Sequence, residues 1–227
     1  SLTGDEEDNH FKPGEGNDTV DGAGGYDGIT FSSVGSGSSG LNVNFNNTTF
    51  DGWATLSYDV DGNSLTTADS YSVLIRNIES IEGSNASDII VLGNQTTYAL
   101  GLQGNDTITG GSNDDTILGG AGSDVLDGGD GTNSLEFWDR NGGETQGAVV
   151  NLEAGTAVDN FGSTDTITNF THVWGSSLGD SLTGDTQNNR LGGNDGNDTL
   201  IGLAGDDSLW GGNGDDSLIG GDGSDWL

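Results

Sequence analysis

The segment GLAGDDSLW (202–210), GGNGDDSLI (211–219) and GGDGSDWL (220–227) repeats one nine-residue pattern without a break. Each copy has glycine at positions 1 and 4, aspartate at position 6 and leucine at position 8. One apolar residue in nine fits neither an amphipathic helix nor a half-buried strand of ordinary length. The pattern does fit a coil that turns once per two nonamers, in which position 8 points inward from a very short strand.

The same period recurs in two other parts of the chain. It runs back from the quoted segment to residue 175, covers 83–136, and appears in a shorter form in 4–30. We therefore predict one interior side chain per nonamer, at Phe11, Val20, Ile29, Ile90, Ala99, Ile108, Ile117, Leu126, Leu135, Leu182, Leu191, Leu200, Leu209, Leu218 and Leu227.

The composition restricts the class of ligand. The chain has 37 acidic and only 4 basic residues, a net charge of −33, and 30% apolar residues. Such a balance normally indicates disorder, because little apolar surface is available to offset chain entropy, but the regular repeat argues for order. Nucleic-acid binding needs a basic surface, which this chain lacks. No apolar run approaches the roughly 20 residues of a membrane-spanning helix. The partner that fits is a hard cation.

The repeat supplies the oxygen ligands that such a cation prefers. Glycine permits positive φ and lets backbone carbonyls converge where a Cβ would obstruct them. The aspartate at position 6 adds a carboxylate. Ca²⁺ takes about 6–8 oxygen ligands, whereas Mg²⁺ demands near-octahedral geometry and keeps its waters. Zinc is disfavoured, because His10 and His172 are isolated and cysteine is absent.

The nonamers GGAGSDVLD (119–127) and GGNGDDSLI (211–219) resemble the repeat of the RTX, or hemolysin-type calcium-binding, family. The resemblance implies an all-β fold with calcium-bound parallel β-roll (β-solenoid) segments, between which β-rich inserts lie. It also implies that each ion lies between loops on the same side of the roll, 18 residues apart. The matching aspartate pairs are Asp106 with Asp124, Asp198 with Asp216, and Asp207 with Asp225.

The resemblance further implies a set of calcium ligands made of position-6 side chains and backbone carbonyls from the loops. Departures from the consensus weaken some sites, because Glu7 and Asn113 replace the position-4 glycine and Asn189 replaces the acid. Full occupancy is expected only in 101–133 and 193–225. The predicted metal residues are Asp18, Asp27, Gly101, Gln103, Gly104, Asp106, Gly110, Asp115, Gly119, Ala121, Gly122, Asp124, Gly128, Asp130, Asn133, Asp180, Gly193, Asp195, Gly196, Asp198, Gly202, Ala204, Gly205, Asp207, Gly211, Asn213, Gly214, Asp216, Gly220, Asp222, Gly223 and Asp225.

The nonamer arrays divide the chain into five expected segments. These are a partial array (1–30), a β-rich insert (31–73), a β-roll (74–136), a second insert (137–165) and a second β-roll (166–227). The second insert reads as a partial duplicate of the first, since 75–94 parallels 167–186. The alternation of Ala54, Leu56, Tyr58 and Val60 predicts strands in the first insert.

Three smaller motifs leave alternatives open. Asp59-x-Asp61-x-Asn63 is either a polar hairpin turn or an additional calcium site. The five tryptophans either pack between segments or neighbouring chains, or form a face that stacks on sugars. Residues 175–179 match G-x-S-x-G, but this motif lies in the first loop of a nonamer array and lacks the strand, helix and histidine that a hydrolase requires.

Together these features predict a calcium-binding module that folds on calcium binding after export, with no catalytic residues. The RTX resemblance implies a secreted or cell-surface protein of a Gram-negative bacterium, exported by a type I route. The expected export signal is not evident after Leu227, so the chain is expected to continue or to have been trimmed. The first role is a structural or adhesive part of an extracellular protein. The alternative is an accessory module, stabilising or polysaccharide-binding, of a secreted enzyme. The partners are calcium ions and, as alternatives, an extracellular polysaccharide or neighbouring copies of the chain, but not nucleic acid.

Overall fold

The computed structural model describes residues 1–13, 18–31, 41–44, 54–59, 70–94, 97–138 and 143–227. These residues form short β-strands joined by loops. They contain no helix, and therefore no helix that is long and apolar enough to cross a bilayer. The strands are β1 (Leu2–Thr3), β2 (His10–Phe11), β3 (Asp18–Asp21), β4 (Gly28–Thr30), β5 (Leu41–Asn44), β6 (Ala54–Asp59), β7 (Ser70–Arg76), β8 (Ser80–Glu82), β9 (Ile89–Val91), β10 (Tyr98–Gln103), β11 (Thr107–Thr109), β12 (Thr116–Ala121), β13 (Val125–Asp127), β14 (Ser134–Glu136), β15 (Val149–Asn151), β16 (Thr156–Val158), β17 (Thr164–Thr168), β18 (His172–Trp174), β19 (Ser181–Thr183), β20 (Arg190–Asp195), β21 (Thr199–Ala204), β22 (Ser208–Asn213) and β23 (Ser217–Asp222).

The strands alternate between two facing sheets. Within the described ranges one sheet runs β1-β3-β7-β6-β5-β9-β11-β13-β17-β16-β15-β19-β21-β23 and the other β2-β4-β8-β10-β12-β14-β18-β20-β22. Equivalent residues of neighbouring coils lie side by side: Ile108 is in register with Leu126, and Leu191 with Leu209. The chain therefore advances one coil per two nonamers, which confirms the predicted all-β parallel β-roll.

The position-8 side chains form the core between the sheets. All of the predicted interior residues except Leu218 and Leu227 are buried, most of them 0 to 1% exposed. Leu218 is half-buried and Leu227 is 63% exposed, because in this structure no further coil packs against these two side chains. Full burial of such a side chain contributes about 1.5–3 kcal/mol. Phe31, Phe137 and Phe170 add aromatic side chains to this core, although they lie outside the nonamer arrays.

The larger sheet contains two groups of three strands in which the pairing changes from parallel to antiparallel. Strands β5, β6 and β7 pair antiparallel with one another, while β7 pairs parallel with β3 and β5 with β9. Strands β15, β16 and β17 repeat this arrangement between β13 and β19. Each trio thus continues the sheet without a break. The predicted alternation of Ala54, Leu56 and Tyr58 falls on β6, whereas Val60 and the turn at Asp61 to Asn63 lie outside the described residues.

Candidate metal centres

Positions 4 to 6 of each regular nonamer form the loops that connect the two sheets, and in β10, β12 and β20 to β23 positions 1 to 3 extend the preceding strand. Position 4 has a positive φ in the regular loops, for example 126° at Gly104 and 131° at Gly196. Position 2 is also left-handed, even where it is leucine: φ is 84° at Leu102 and 79° at Leu203. This conformation costs an L-residue about 1–2 kcal/mol. The surrounding coils therefore impose this backbone conformation, which the intrinsic preference of leucine would not favour.

The position-6 side chains form a hydrogen-bonded series along the roll, which we call the carboxylate ladder. The backbone N–H of Asp106 donates to Oδ1 of Asp124 at 2.8 Å. The same bond joins the N–H of Asp198 to Oδ1 of Asp216 at 3.0 Å, and Asp207 to Asp225 at 3.0 Å. All three aspartate pairs expected from the 18-residue spacing are therefore in direct contact between neighbouring coils.

The second oxygen of several of these carboxylates is buried without a hydrogen-bond partner. This holds for Oδ2 of Asp27, Asp106, Asp124, Asp198 and Asp207, and for Oδ1 of Asp115. Each of these residues is only 1 to 2% exposed. A buried polar atom without a partner costs about 1–3 kcal/mol, and more when it is charged. The recurrence of this unsatisfied oxygen in the same loop position indicates a shared ligand.

The unpartnered Oδ2 atoms face a gap that only glycine leaves open. A Cβ added at Gly101 would lie less than 3.0 Å from both Oδ2 of Asp106 and the carbonyl oxygen of Gly119 on the next coil. Gly193 and Gly202 have the same surroundings, formed by Asp198 with Gly211 and by Asp207 with Gly220. A carboxylate oxygen and a carbonyl oxygen thus converge between two coils. This set of oxygen donors fits a hard cation such as Ca²⁺.

Burial makes the carboxylates difficult to ionise in the absence of a cation. Burial, together with the smaller effect of the nearby negative charges of Asp88 and Asp124, raises the pKa of Asp106 to about 8. Burial also raises the pKa of Asp115, Asp124 and Asp180 to about 6. The ionised form therefore requires a compensating positive charge. A divalent cation in the glycine gap would supply it.

Two loops satisfy their aspartate internally, and we call them serine-closed loops: 83–88 and 175–180. In the first, the backbone N–H of Ser84 donates to Asp88 at 2.7 Å and its hydroxyl donates to the same carboxylate at 2.8 Å. Ser176 makes the same two bonds to Asp180, at 2.9 and 2.8 Å. Asp180, a predicted metal residue, thus already has partners from its own loop.

Asparagine closes two further loops in a different way. The Nδ2 group of Asn133 donates to the carbonyl oxygens of Gly129, Asp130 and Asn169 at 3.4, 3.3 and 3.0 Å. Nδ2 of Asn189 donates to Asp185 Oδ1 at 3.2 Å. At Asn133 the amide contacts the kind of carbonyl group that a cation would coordinate. Such loops need less positive charge from outside.

The other predicted metal residues lie around these gaps. The position-3 residues sit where the strands meet the loops, and three register pairs join them across neighbouring coils: Gln103 with Ala121, Asp195 with Asn213, and Ala204 with Asp222. Asp18 lies in β3, 3.7 Å from the N-terminal ammonium group, and its loop residues 14–17 lie outside the described part. The assignment of individual ligands stays a prediction.

Two polar features were not predicted from the sequence. A second ladder joins position-5 residues: Ser123 N–H donates to Asn105 Oδ1 at 2.9 Å and Asp215 N–H to Asn197 Oδ1 at 2.9 Å. Its signal was the frequent Asn, Asp or Ser at position 5. In addition, Asp165 continues the carboxylate ladder by accepting the N–H of Asp124 at 2.9 Å. No nonamer marks Asp165, since it belongs to the second antiparallel trio.

Comparison with protein families matches three segments of the chain to one repeat model. The model of the RTX calcium-binding nonapeptide repeat, which spans four copies of the repeat, matches residues 1–29, 100–135 and 192–227. A search of curated proteins found no matching relative. The two matches within 100–135 and 192–227 begin after the serine-closed loops and contain all three contacting aspartate pairs. The parallel β-roll and the calcium-binding repeats of these three segments fit the RTX β-roll family.

Proposed function

We propose that this chain is an extracellular module whose β-roll becomes stable when calcium binds between loops of neighbouring coils. The observation that carries the proposal is the buried, unpartnered carboxylate oxygen that faces a carbonyl oxygen across a glycine gap, as at Asp106 and Gly119. The residues that would hold the ions are the position-6 aspartates and the loop carbonyls of 101–133 and 193–225. The bound ion would supply positive charge to oxygens that have no other source of it.

Mass action explains how such ions would control folding. A ligand that binds only the folded chain stabilises it by about 2.7 kcal/mol at a concentration 100 times its dissociation constant. Several sites of this kind rival the whole stability of a domain, about 5–15 kcal/mol. Without calcium, the net charge of −33 favours the expanded chain. Export into a calcium-rich medium would therefore coincide with folding.

The repeat family supports a secreted location by a type I route, and we propose a structural or adhesive role outside a Gram-negative cell. The support is architectural, because the repeated coils and loops account for most of the described acids, and no set of acid–base groups is recognisable among the described residues. The five segments 1–30, 31–73, 74–136, 137–165 and 166–227 are proposed as its units. We propose no catalytic activity for this chain. The serine of the G-x-S-x-G motif, Ser177, donates its hydroxyl to Glu144.

A calcium titration tests the proposal directly. The chain is dialysed against EDTA, and β-structure is followed by circular dichroism while calcium is added. Native mass spectrometry counts the ions bound at the plateau. We expect little regular structure in EDTA, a cooperative gain of structure with calcium, and a much weaker response to Mg²⁺. An equally folded chain in EDTA at neutral pH would show that calcium does not drive folding.

A further inference from the structure

The outer face of the smaller sheet carries a continuous series of clefts, which we call the aromatic track. The first cleft, of about 340 Å³, is lined among the described residues by Phe137, Trp138 and Phe161 on one side and by Leu102 and Leu118 on the sheet. It spans strands β8 to β14. Apolar surface of this kind, concave and interrupted by a few polar groups, is typical of ligand sites.

Two further clefts continue the track along the roll. The second, of about 480 Å³, shares Trp138 and Glu136 with the first and reaches Trp174. The third, of about 420 Å³, lies between Trp174 and Trp210. From Glu82 to Trp210 the track crosses seven consecutive strands. At about 4.8 Å per strand it is about 29 Å long, which suits a linear ligand of several units.

Two tryptophans of the track, Trp138 and Trp174, are held in place by their neighbours. Trp138 donates its indole N–H to Oε2 of Glu136 at 2.7 Å, while 39% of its surface stays exposed. Trp174 lies over the Cα of Gly192, where any Cβ would collide with its six-membered ring, and the guanidinium of Arg190 lies 5.7 Å from its centroid. Trp210, in register with Gly192, is 58% exposed. Rings that are held in this way, those of Trp138 and Trp174, lose little entropy on binding.

Polar groups alternate with these rings. Glu136 and Glu144 line the second cleft, and Asn194, Asp195 and Asn213 line the third. Carboxylates accept hydrogen bonds from hydroxyl groups, and amides both donate and accept them. Aromatic faces pack against apolar C–H surface. A sugar ring presents both kinds of surface at once, C–H groups on its faces and hydroxyls around its rim.

From this geometry we propose that the aromatic track binds a neutral, extended polysaccharide. Nucleic acid also stacks on aromatic rings, but phosphates would meet a chain of net charge −33 and the acids of the track itself. An extended peptide would find no unpaired strand edge here, since the track lies on a sheet face. A second copy of the chain would place like charges against each other. The same repulsion excludes anionic polysaccharides.

The proposal rests on the proposed calcium-bound fold, so its test monitors folding and binding in the same samples. Cellohexaose, a neutral linear oligosaccharide, is titrated into the chain in calcium and in EDTA, with tryptophan fluorescence and calorimetry as readouts. We expect binding in the folded state, and a loss of at least about tenfold in affinity for Trp138→Ala and for Trp210→Ala. Trp226→Ala is the matched control, because Trp226 is 65% exposed outside the clefts and its removal should leave affinity unchanged.

The outcomes separate the two proposals. Calcium-dependent folding without cellohexaose binding overturns the aromatic track alone. Binding that occurs equally in EDTA, with an equally folded chain, supports the track and overturns calcium-coupled folding. Equal affinity for an alginate oligosaccharide overturns the choice of a neutral ligand. If Trp138→Ala and Trp210→Ala change the sedimentation coefficient but not glycan affinity, the track is an interface between copies and the proposal is wrong.

Discussion

Replacing Asp106 by asparagine should change stability in opposite directions with and without calcium. In the calcium-free folded chain, burial raises the pKa of Asp106 to about 8, whereas its ordinary value is 3.8. At pH 7 the unfolded chain has lost this proton and the folded chain retains it. With 1.36 kcal/mol per pKa unit, the folded state is disfavoured by about 4 kcal/mol relative to acid pH. Asparagine removes this cost and keeps Oδ1 as an acceptor for the N–H of Asp88.

With calcium the same substitution removes a charged ligand from the gap at Gly101. We therefore expect Asp106→Asn to fold in EDTA at a lower osmolyte concentration than the parent chain. Its folding free energy should be more favourable by up to about 4 kcal/mol. In saturating calcium we expect a lower urea midpoint and a higher calcium midpoint of folding. The chain already contains the substituted arrangement, since Asn133 occupies the equivalent loop position and donates to three carbonyl groups.

Circular dichroism along a trimethylamine N-oxide titration in EDTA, and along a urea titration in calcium, measures both effects. Asp215→Asn is the matched control, because Asp215 is exposed at position 5 and its replacement removes one charge outside any gap. The control should change stability only slightly in either condition. A shift of the same sign with and without calcium for Asp106→Asn would refute the role of this carboxylate as a cation ligand.

Four further predictions follow from the same structure. In EDTA the free energy of unfolding should fall as pH rises from about 4 to about 8, since the buried aspartates, chiefly Asp106, keep protons that the unfolded chain loses; a flat or rising osmolyte-folding profile would contradict this. Gly193→Ala should remove at least one ion from the native mass spectrum, because a Cβ there meets Asp198 Oδ2; an unchanged ion count would show that this gap is not a site. Ser176→Ala should cost about 1–3 kcal/mol in urea unfolding, by depriving Asp180 of a hydroxyl donor, and a neutral result would discount this bond. Leu200→Ala should cost about 2–5 kcal/mol in calcium, whereas Leu227→Ala, at an exposed position, should cost much less in the same urea assay.

The nonamer period predicted the fold because it encodes the coil directly. A residue at position 8 of one nonamer lies beside the residue 18 positions later, so the register of Leu200 with Leu218 could be predicted from spacing alone. The contact of Asp198 with Asp216 follows from the same spacing. The serine closure could not be predicted in this way, although the loops of Ser84 and Ser176 depart from the consensus at position 2 and again at position 4, where Ala86 and Leu178 replace glycine. Whether a hydroxyl reaches the carboxylate depends on the loop conformation.

Long-range contributions from outside the nonamers were also beyond the sequence pattern. Asp165, in the second antiparallel trio, joins the carboxylate ladder. Its Oδ1 accepts a hydrogen bond from the backbone N–H of Asp124, 41 residues away in the sequence. Glu79 plays the same part for Asp27 at 2.7 Å, across a separation of 52 residues. Both depend on how the inserts return the chain to the roll. A repeat pattern has no information about such returns.

Serine-closed loops and open loops follow one another in a fixed order along one edge of the roll. The serine-closed loop 83–88 precedes the open loops 101–106 and 119–124, and the serine-closed loop 175–180 precedes 193–198 and 211–216. In each case the serine-closed coil donates its position-6 N–H to the first open carboxylate, from Asp88 to Asp106 and from Asp180 to Asp198, both at 2.7 Å. A loop that needs no cation thus orients the carboxylate of the next loop. Because each coil of a repeat protein contacts only its neighbours, the first open site of each array is preorganised, whereas later sites depend on the coil before them.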